Sequence, residues 1–337
     1  MKPIKLNTIA AVAALGLVLG VMTIGTVKAD SFGSGNNTFS IDFVNVGNAG
    51  NADDAGAGGG IYSSPYGGVG YNYQVSTYEI SQNDITKATN LGLANVTAGA
   101  HTGDEPAANI SWYEAAAFVN WLNTSQGNQS AYNLTFSGSW SMTLWGASDQ
   151  ATTGVDSGTN PYRHKDAYYF LPSEDEWYKA AYHQNTGVNA DYWDYATGSN
   201  TIPTNVVSGT TSGTAVYNGV SSPEPTDPAD VTLAGGLSPY GTMGQNGNVW
   251  EWSESAFDGI NNSASENRPF RGAHWDTTQT ENYLRSSYRV SLDPSLEGDI
   301  LGFRVASVSS IPEPSGVLVV LVAVGAGLLR WRARRSL

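Results

Sequence analysis

The run Gly247-Asn248-Val249-Trp250-Glu251-Trp252 constrains this chain more than any other stretch. Two indoles bracket one carboxylate directly after a Gly-Asn turn signal. Each indole removes on the order of 200 Å² from water when buried, so a short segment carrying two of them belongs in a core. The carboxylate between them must then be hydrogen-bonded, ion-paired or metal-bound, because a bare buried charge is costly. The hexamer predicts a folded domain organised around one deliberately placed anion. The sequence contains no cysteine, so that core has no disulfide to support it.

The two ends have the composition of targeting segments. Lys2 and Lys5 precede an apolar run from Ile9 to Val21, and Val27-Lys28-Ala29 offers a cleavage site. This is the pattern of a secretory signal over residues 1–29; the competing reading is a buried N-terminal helix. At the other end, Ile311 to Ser315 is stiffened by proline, Gly316 to Leu329 is apolar, and Arg330, Arg332, Arg334 and Arg335 form a basic stop. The apolar run is shorter than the roughly 20 residues that span a bilayer comfortably. Trp331 and the arginines would extend it at the interface, with the basic end cytoplasmic. An ordinary tail anchor has these properties. The order also resembles the PEP-CTERM sorting tail of Gram-negative bacteria, with Pro312-Glu313-Pro314 as the recognition triplet, over residues 308–337. That resemblance implies processing by an exosortase, transient anchoring in the inner membrane, and export to the envelope or extracellular matrix.

Without these ends the chain is strongly acidic. Seven of the 16 Lys and Arg, but only Glu313 of the 30 Asp and Glu, lie in the two terminal segments. What remains carries 29 acids against nine bases, a formal charge near −20. Such a surface repels nucleic acid and anionic lipid. It suits cations, or solubility outside the cell.

Between the ends the pattern is one α+β domain, residues 38–307, after a polar linker over 30–37. Phe39 to Val44 and Tyr71 to Val75 alternate as strands do. Three helices are placed by their starts. Ser81-x-x-Asp84 opens a helix to about Asn90. Ser111-x-x-Glu114 opens Trp112 to Asn123, with Ala115, Phe118, Val119 and Leu122 on one face. Ser173-x-x-Glu176 opens Glu174 to His183. In each, the serine accepts from the third helical N–H and the acid reaches back. Residues 184–240 are rich in Gly, Ser, Thr, Asn and Pro, a functional or flexible stretch, whose Tyr, Trp and Asn are expected to be exposed and to stack on sugars or hold peptide. Short strands are expected at Val249 to Trp252, Phe270 to Gly272 and Gly302 to Ala306.

Seven motifs then fall in an ordered series. They are Tyr78 to Ser81; Pro106 to Ala115 with Asn120-Trp121-Leu122; Tyr169 to Trp177 with Ala180-Ala181; Pro239-Tyr240-Gly241; Gly247 to Trp252; Arg271-Gly272-Ala273-His274-Trp275 with Leu284-Arg285-Ser286 and Arg289; and Gly302 to Val305. The series resembles the sulfatase-modifying-factor family, relatives of the formylglycine-generating enzyme. The resemblance implies a C-type-lectin-like variant fold, loop-rich, with short helices and small antiparallel sheets.

The chemistry the resemblance implies is only partly supported by the residues. The enzyme that names the family uses two active-site cysteines that bind copper, since thiolates hold Cu(I) as hard oxygen ligands cannot. They would fall between His274-Trp275 and Arg289, where this chain reads Asp276 to Tyr283 without a thiol. No copper site is expected, nor copper- and thiol-dependent formylglycine formation. A second branch uses a histidine-held iron; His101, His164, His183 and His274 show no ligand spacing. His274 stands where the family often has Ser, as a local ligand or as a structural histidine. The resemblance also implies calcium at the hexamer, held by the carbonyls of Gly247 and Val249, by Glu251, and by an Asn or Asp three residues before the glycine. That last position is Gly244 here, with Asn246 as the substitute. The alternative holds Glu251 by hydrogen bonds or by one of Arg271, Arg285, Arg289 and Arg304. The acids Glu174 and Glu176 read as helix-start residues that complement the dipole. The arginines from Arg268 to Arg304 pair with buried acids or line a groove around His274, Trp275, Asp276 and Arg285.

These observations point to an exported, envelope- or matrix-associated protein without the family's catalytic thiols. Its expected role is non-catalytic binding, or structure, in the extracellular polymer layer, with polysaccharide or matrix protein as partner. The alternative is an enzyme of the same family with a cysteine-independent reaction.

Overall fold

The computed structural model describes residues 28–55, 65–97, 99–155, 157–218, 224–276 and 282–309. The secretory signal up to Val27 and the Pro312-Glu313-Pro314 tail lie outside the described residues.

A five-stranded antiparallel sheet forms one wall. Its order is Lys28–Phe32, Phe39–Val46, Tyr73–Ser76, Ala306–Val308 and Tyr169–Phe170. Phe39, Ile41 and Phe43 alternate inward as the sequence pattern predicts. A second sheet runs Val290–Leu292, Arg268–Arg271, Trp250–Trp252 and Leu301–Gly302. Its pairs are antiparallel except that of Trp250–Trp252 with Leu301–Gly302, which is parallel. Smaller pairs, among them the hairpin Asn133–Phe136 with Trp140–Thr143, lie outside these sheets. One apolar cluster, including Phe43, Trp112, Phe118, Trp252 and Phe303, joins the two sheets to the helices.

Among the described residues there are three α-helices: α1 (Gln82–Asn90), α2 (Trp112–Ser125) and α3 (Glu174–Tyr182). All three begin with a complete capping box, on Ser81 and Asp84, Ser111 and Glu114, and Ser173 and Glu176. The α2 helix is buried beyond the single face expected of it. Trp112, Ala116, Ala117 and Asn123 are inside along with Ala115, Phe118, Val119 and Leu122. Three consecutive alanines leave room for neighbours to close on every side, so α2 is a central rod rather than a surface helix.

Three sequence expectations need correction. Residues 30–37 are not a linker. They form most of an edge strand, in which Phe32 is buried against Phe39 and Tyr169, followed by a 3-10 turn over Gly35–Asn37. Gly302 to Ala306 is not one strand. The chain leaves the second sheet at Gly302 and enters the first at Ala306, and Phe303 to Val305 cross between them through the core. Residues 184–240 do not display their tyrosines. Tyr192, Tyr195, Tyr217 and Tyr240 are buried, and the hydroxyls of Tyr192, Tyr217 and Tyr240 find partners inside. Tyr217 donates to the Pro203 carbonyl at 2.7 Å, and Tyr192 to that of Gly67 at 2.8 Å.

Candidate functional site

The hexamer turns through Gly247 before its strand starts. Gly247 has φ +92°, and a Cβ there would lie 2.1 Å from the Val216 carbonyl oxygen, so only glycine allows this approach. The approach is fixed by Asn248, whose N–H donates to that same carbonyl at 2.7 Å. The chain then enters the second sheet with Val249, Trp250, Glu251 and Trp252 all buried.

Glu251 is fully enclosed, and its partners are protein groups. Arg304 donates from Nε to Oε2 at 2.5 Å and from Nη2 to Oε1 at 2.6 Å. The Trp177 indole of α3 donates to Oε2 at 2.6 Å. The remaining Arg304 N–H groups go to the carbonyls of Ser76, Thr77 and Met243. This fork geometry suits guanidinium and carboxylate. It depends on the sheet-to-sheet crossing that carries Arg304 inward.

A second carboxyl lies beside it. Glu79 accepts from Asn248 Nδ2 at 2.8 Å, with the Val249 N–H at 3.4 Å. Burial, and then the Glu251 charge, push its carboxyl up to about 8, against the pull of Arg304. Sequence reasoning placed Glu79 in a motif but gave it no role. Its position between Tyr78 and Ile80 was the available signal. A cavity of about 240 Å³ opens next to it, bordered by Asp42, Tyr78, Asp84 and Asp104.

The other arginines divide by environment. Arg163 Nη2 bridges Glu176 and Glu254, both at 2.8 Å, and all three are buried. Arg271 and Arg289 both hold Glu174, at 2.7 and 2.6 Å. Glu174 and Glu176 are therefore ion-pair acids as well as helix-start acids. Arg268 is stacked between the faces of Tyr162 and Trp112, 3.8 and 4.5 Å from their centroids. Only Arg285 of this group reaches solvent, 3.7 Å from Asp194 and over the ring of Tyr195.

Of the residues expected around a groove, His274 joins an aromatic face. His274 lies 5.9 Å from Trp250, ring to ring, and Tyr288 stacks on Trp250 at 6.0 Å. Tyr283 meets Tyr288 edge-on at 4.5 Å. His274, Tyr283 and Tyr288 are half-buried, and Asp276 is exposed. Burial pushes the His274 imidazole down to about 4, outweighing Asp276 and Asp299. It is thus neutral at physiological pH. Trp275 is tied by its backbone N–H to the Asn248 carbonyl at 2.8 Å, which fixes this face to the hexamer. The stretch expected to hold thiols in the family begins at Asp276 and carries none; residues 277–281 lie outside the described residues.

The short capped helices, the small sheets and the Trp-Glu-Trp strand locked by an arginine define a loop-rich α+β domain of the formylglycine-generating-enzyme-like class. The chain belongs to the family described as the sulfatase-modifying factor enzyme 1-like domain, whose model matches residues 41–308. Its solved structural neighbours include variable protein 1 of Treponema denticola, at 19% identity and TM-score 0.55, covering 84% of this chain and 99% of the other. CarF matches at 17% identity and TM-score 0.52, covering 80% and 99%. PvdO from Pseudomonas aeruginosa matches at 16% identity and TM-score 0.50, covering 85% and 98%. At these identities the likeness is one of fold. A comparison with curated proteins returned no match.

Proposed function

We propose that this chain is a non-catalytic binding protein of the bacterial envelope or extracellular matrix. In this reading a family scaffold without its thiols presents a recognition face. The observation that carries the reading is the half-buried cluster of His274, Tyr283 and Tyr288 around Trp250. Partly exposed rings stack on sugars or hold apolar side chains at low entropic cost. Arg285 and Asp194 supply a charged rim for orientation. The ligand class is an extracellular polysaccharide or a matrix protein segment. The acidic surface of the mature chain supports a setting away from nucleic acid and anionic lipid.

Export rests on the two termini: a signal cleaved near Ala29, and a tail read by an exosortase at Pro312-Glu313-Pro314. Fractionation of cells producing the full chain tests this. The expected result is envelope or matrix material shortened at both ends; uncleaved cytoplasmic chain contradicts it.

The binding reading is tested by a pull-down on immobilised extracellular polysaccharide and on matrix protein. Specific enrichment supports it. A parallel assay with cysteine peptides and copper is expected to show no turnover, and turnover would overturn it.

A further inference from the structure

Both ends of the described domain leave it at one corner. Lys28 opens the edge strand, and its Nζ donates to the Tyr168 hydroxyl at 3.1 Å. Val308 closes the last strand, and its N–H donates to the Tyr168 carbonyl at 3.0 Å. Asp30 accepts from the neighbouring Tyr169 hydroxyl at 2.9 Å. The C-terminal turn of α2 completes the corner. Asn123 accepts from the N–H groups of Tyr168 and Tyr169 and donates to the Tyr169 carbonyl, and Gln126 donates to that of Ser31. Gln129 then pairs with Ala167 in a β-bridge.

The side chains here differ from the acidic remainder. Residues 31–41 and 115–148 contain no charged side chain, in a mature chain of 29 acids and nine bases. Thr124, Ser125, Gln126 and Gln129 are exposed. The bordering acids are Asp30, held by Lys28 and Tyr169; Asp42, opposite Ala29 in the sheet; and Asp166, next to Lys165. Signal cleavage after Ala29 removes Lys28 but leaves the α-ammonium of Asp30 at the same strand end. Repulsion from anionic lipid is therefore low at this pole.

The tether limits which pole can face a bilayer. Seven residues, Ser309 to Ser315, separate the domain from the apolar run at Gly316. Fully extended, they span at most about 25 Å. A body of about 280 residues has a radius of gyration of about 19 Å and is roughly 48 Å across. The tether is too short for the far side of such a body to turn under.

We propose that this corner is the membrane-facing surface of the domain, with the periplasmic face of the inner membrane as its partner while the tail is intact. The proposal rests on the reading of residues 316–329 as a membrane segment. Pro312-Glu313-Pro314 then lies between the corner and the bilayer. The α2 helix runs from the corner through the core, so its start lies about 21 Å farther from the lipid.

The chain has no cysteine, so one introduced thiol carries a unique label. The full chain is produced in a Gram-negative host without exosortase. It is reconstituted into vesicles of phosphatidylethanolamine and phosphatidylglycerol whose headgroups carry a nitroxide quencher. Gln129→Cys places a bimane fluorophore at the corner. Leu296→Cys places it near the start of α2, where Tyr113 donates to the Pro294 carbonyl. Both side chains are exposed, so each labelled variant should keep the wild-type Tm. Thr124→Cys takes the place of Gln129→Cys if that variant does not. The chain is expected to sediment with the vesicles, and the Gln129 label to be quenched severalfold more than the Leu296 label. Sedimentation with equal or reversed quenching overturns the proposal and leaves the tail reading standing. A chain that stays soluble overturns the tail reading, and the proposal with it.

Discussion

Arg304 reaches Glu251 because three residues, Phe303 to Val305, pass through the core between the two sheets. Removing one partner of a buried pair leaves the other charge uncompensated, at a cost of about 3–5 kcal/mol. Arg304→Met should therefore lose most of the domain's stability in urea denaturation. Arg304→Lys should be nearly as damaging, because an ammonium cannot make the fork to Glu251 and also serve three carbonyls. A loss below about 1 kcal/mol for the lysine variant would contradict this geometry. Lys179 carries a pH signature. Its amine is enclosed with one acceptor, the Asn48 carbonyl at 3.1 Å. Burial pushes it down to about 7, although Glu176 opposes this. Between that value and the ordinary 10.5 the unfolded chain holds a proton that the folded chain lacks. Lys179 should thus make stability rise with pH across this window and contribute no slope below it. Lys179→Met should flatten that part of the profile; an unchanged slope would show that Lys179 is charged when folded.

The helices are the elements whose sequence and structure agree most closely. A Ser-x-x-acid box is a local signal: its hydrogen bonds lie within one turn, so nothing distant can overrule it. Ser173 caps the helix that delivers Glu174, Glu176 and Trp177 to three separate buried contacts. Ser173→Ala should cost about 1–2 kcal/mol, measured by chemical denaturation. Ser81→Ala, on the more exposed α1, should lie at the lower end of that range, and equal costs would argue against the extra weight on α3. The burial of the Trp-Glu-Trp strand was equally legible, since its bulk leaves it no other place. The pairing of Glu79 with Asn248 was not, because it joins residues 169 apart in the chain. The same holds for Arg163, whose acids Glu176 and Glu254 come from different elements. Glu174 misled in another way: its helix-start role is local and visible, whereas its two arginines come from distant strands and loops. The strand misread across Gly302 to Ala306 has the same origin. Alternation shows extended chain but not which sheet each end joins.

At the scale of the molecule, a stiff interior of ion pairs supports a half-buried aromatic face. His274, Trp275, Asp276 and Arg285 were singled out by resemblance and position, whereas the part of Tyr283 and Tyr288, and their grouping with His274 around Trp250, required the fold. The face rests on the hexamer through the Trp275 backbone, so the carboxylate centre and the aromatic face are tied together. The most direct measurement of this account is equilibrium binding of a panel of extracellular polysaccharides and matrix peptides to the exported chain, followed by intrinsic tryptophan fluorescence. The wild type should bind at least one ligand saturably. Arg285→Ala and Tyr288→Ala should each weaken its Kd by about tenfold or more, the ~1.4 kcal/mol of a single good contact, without changing Tm. A wild type that binds none of them, or one whose binding survives both substitutions unchanged, would contradict a recognition face at Trp250.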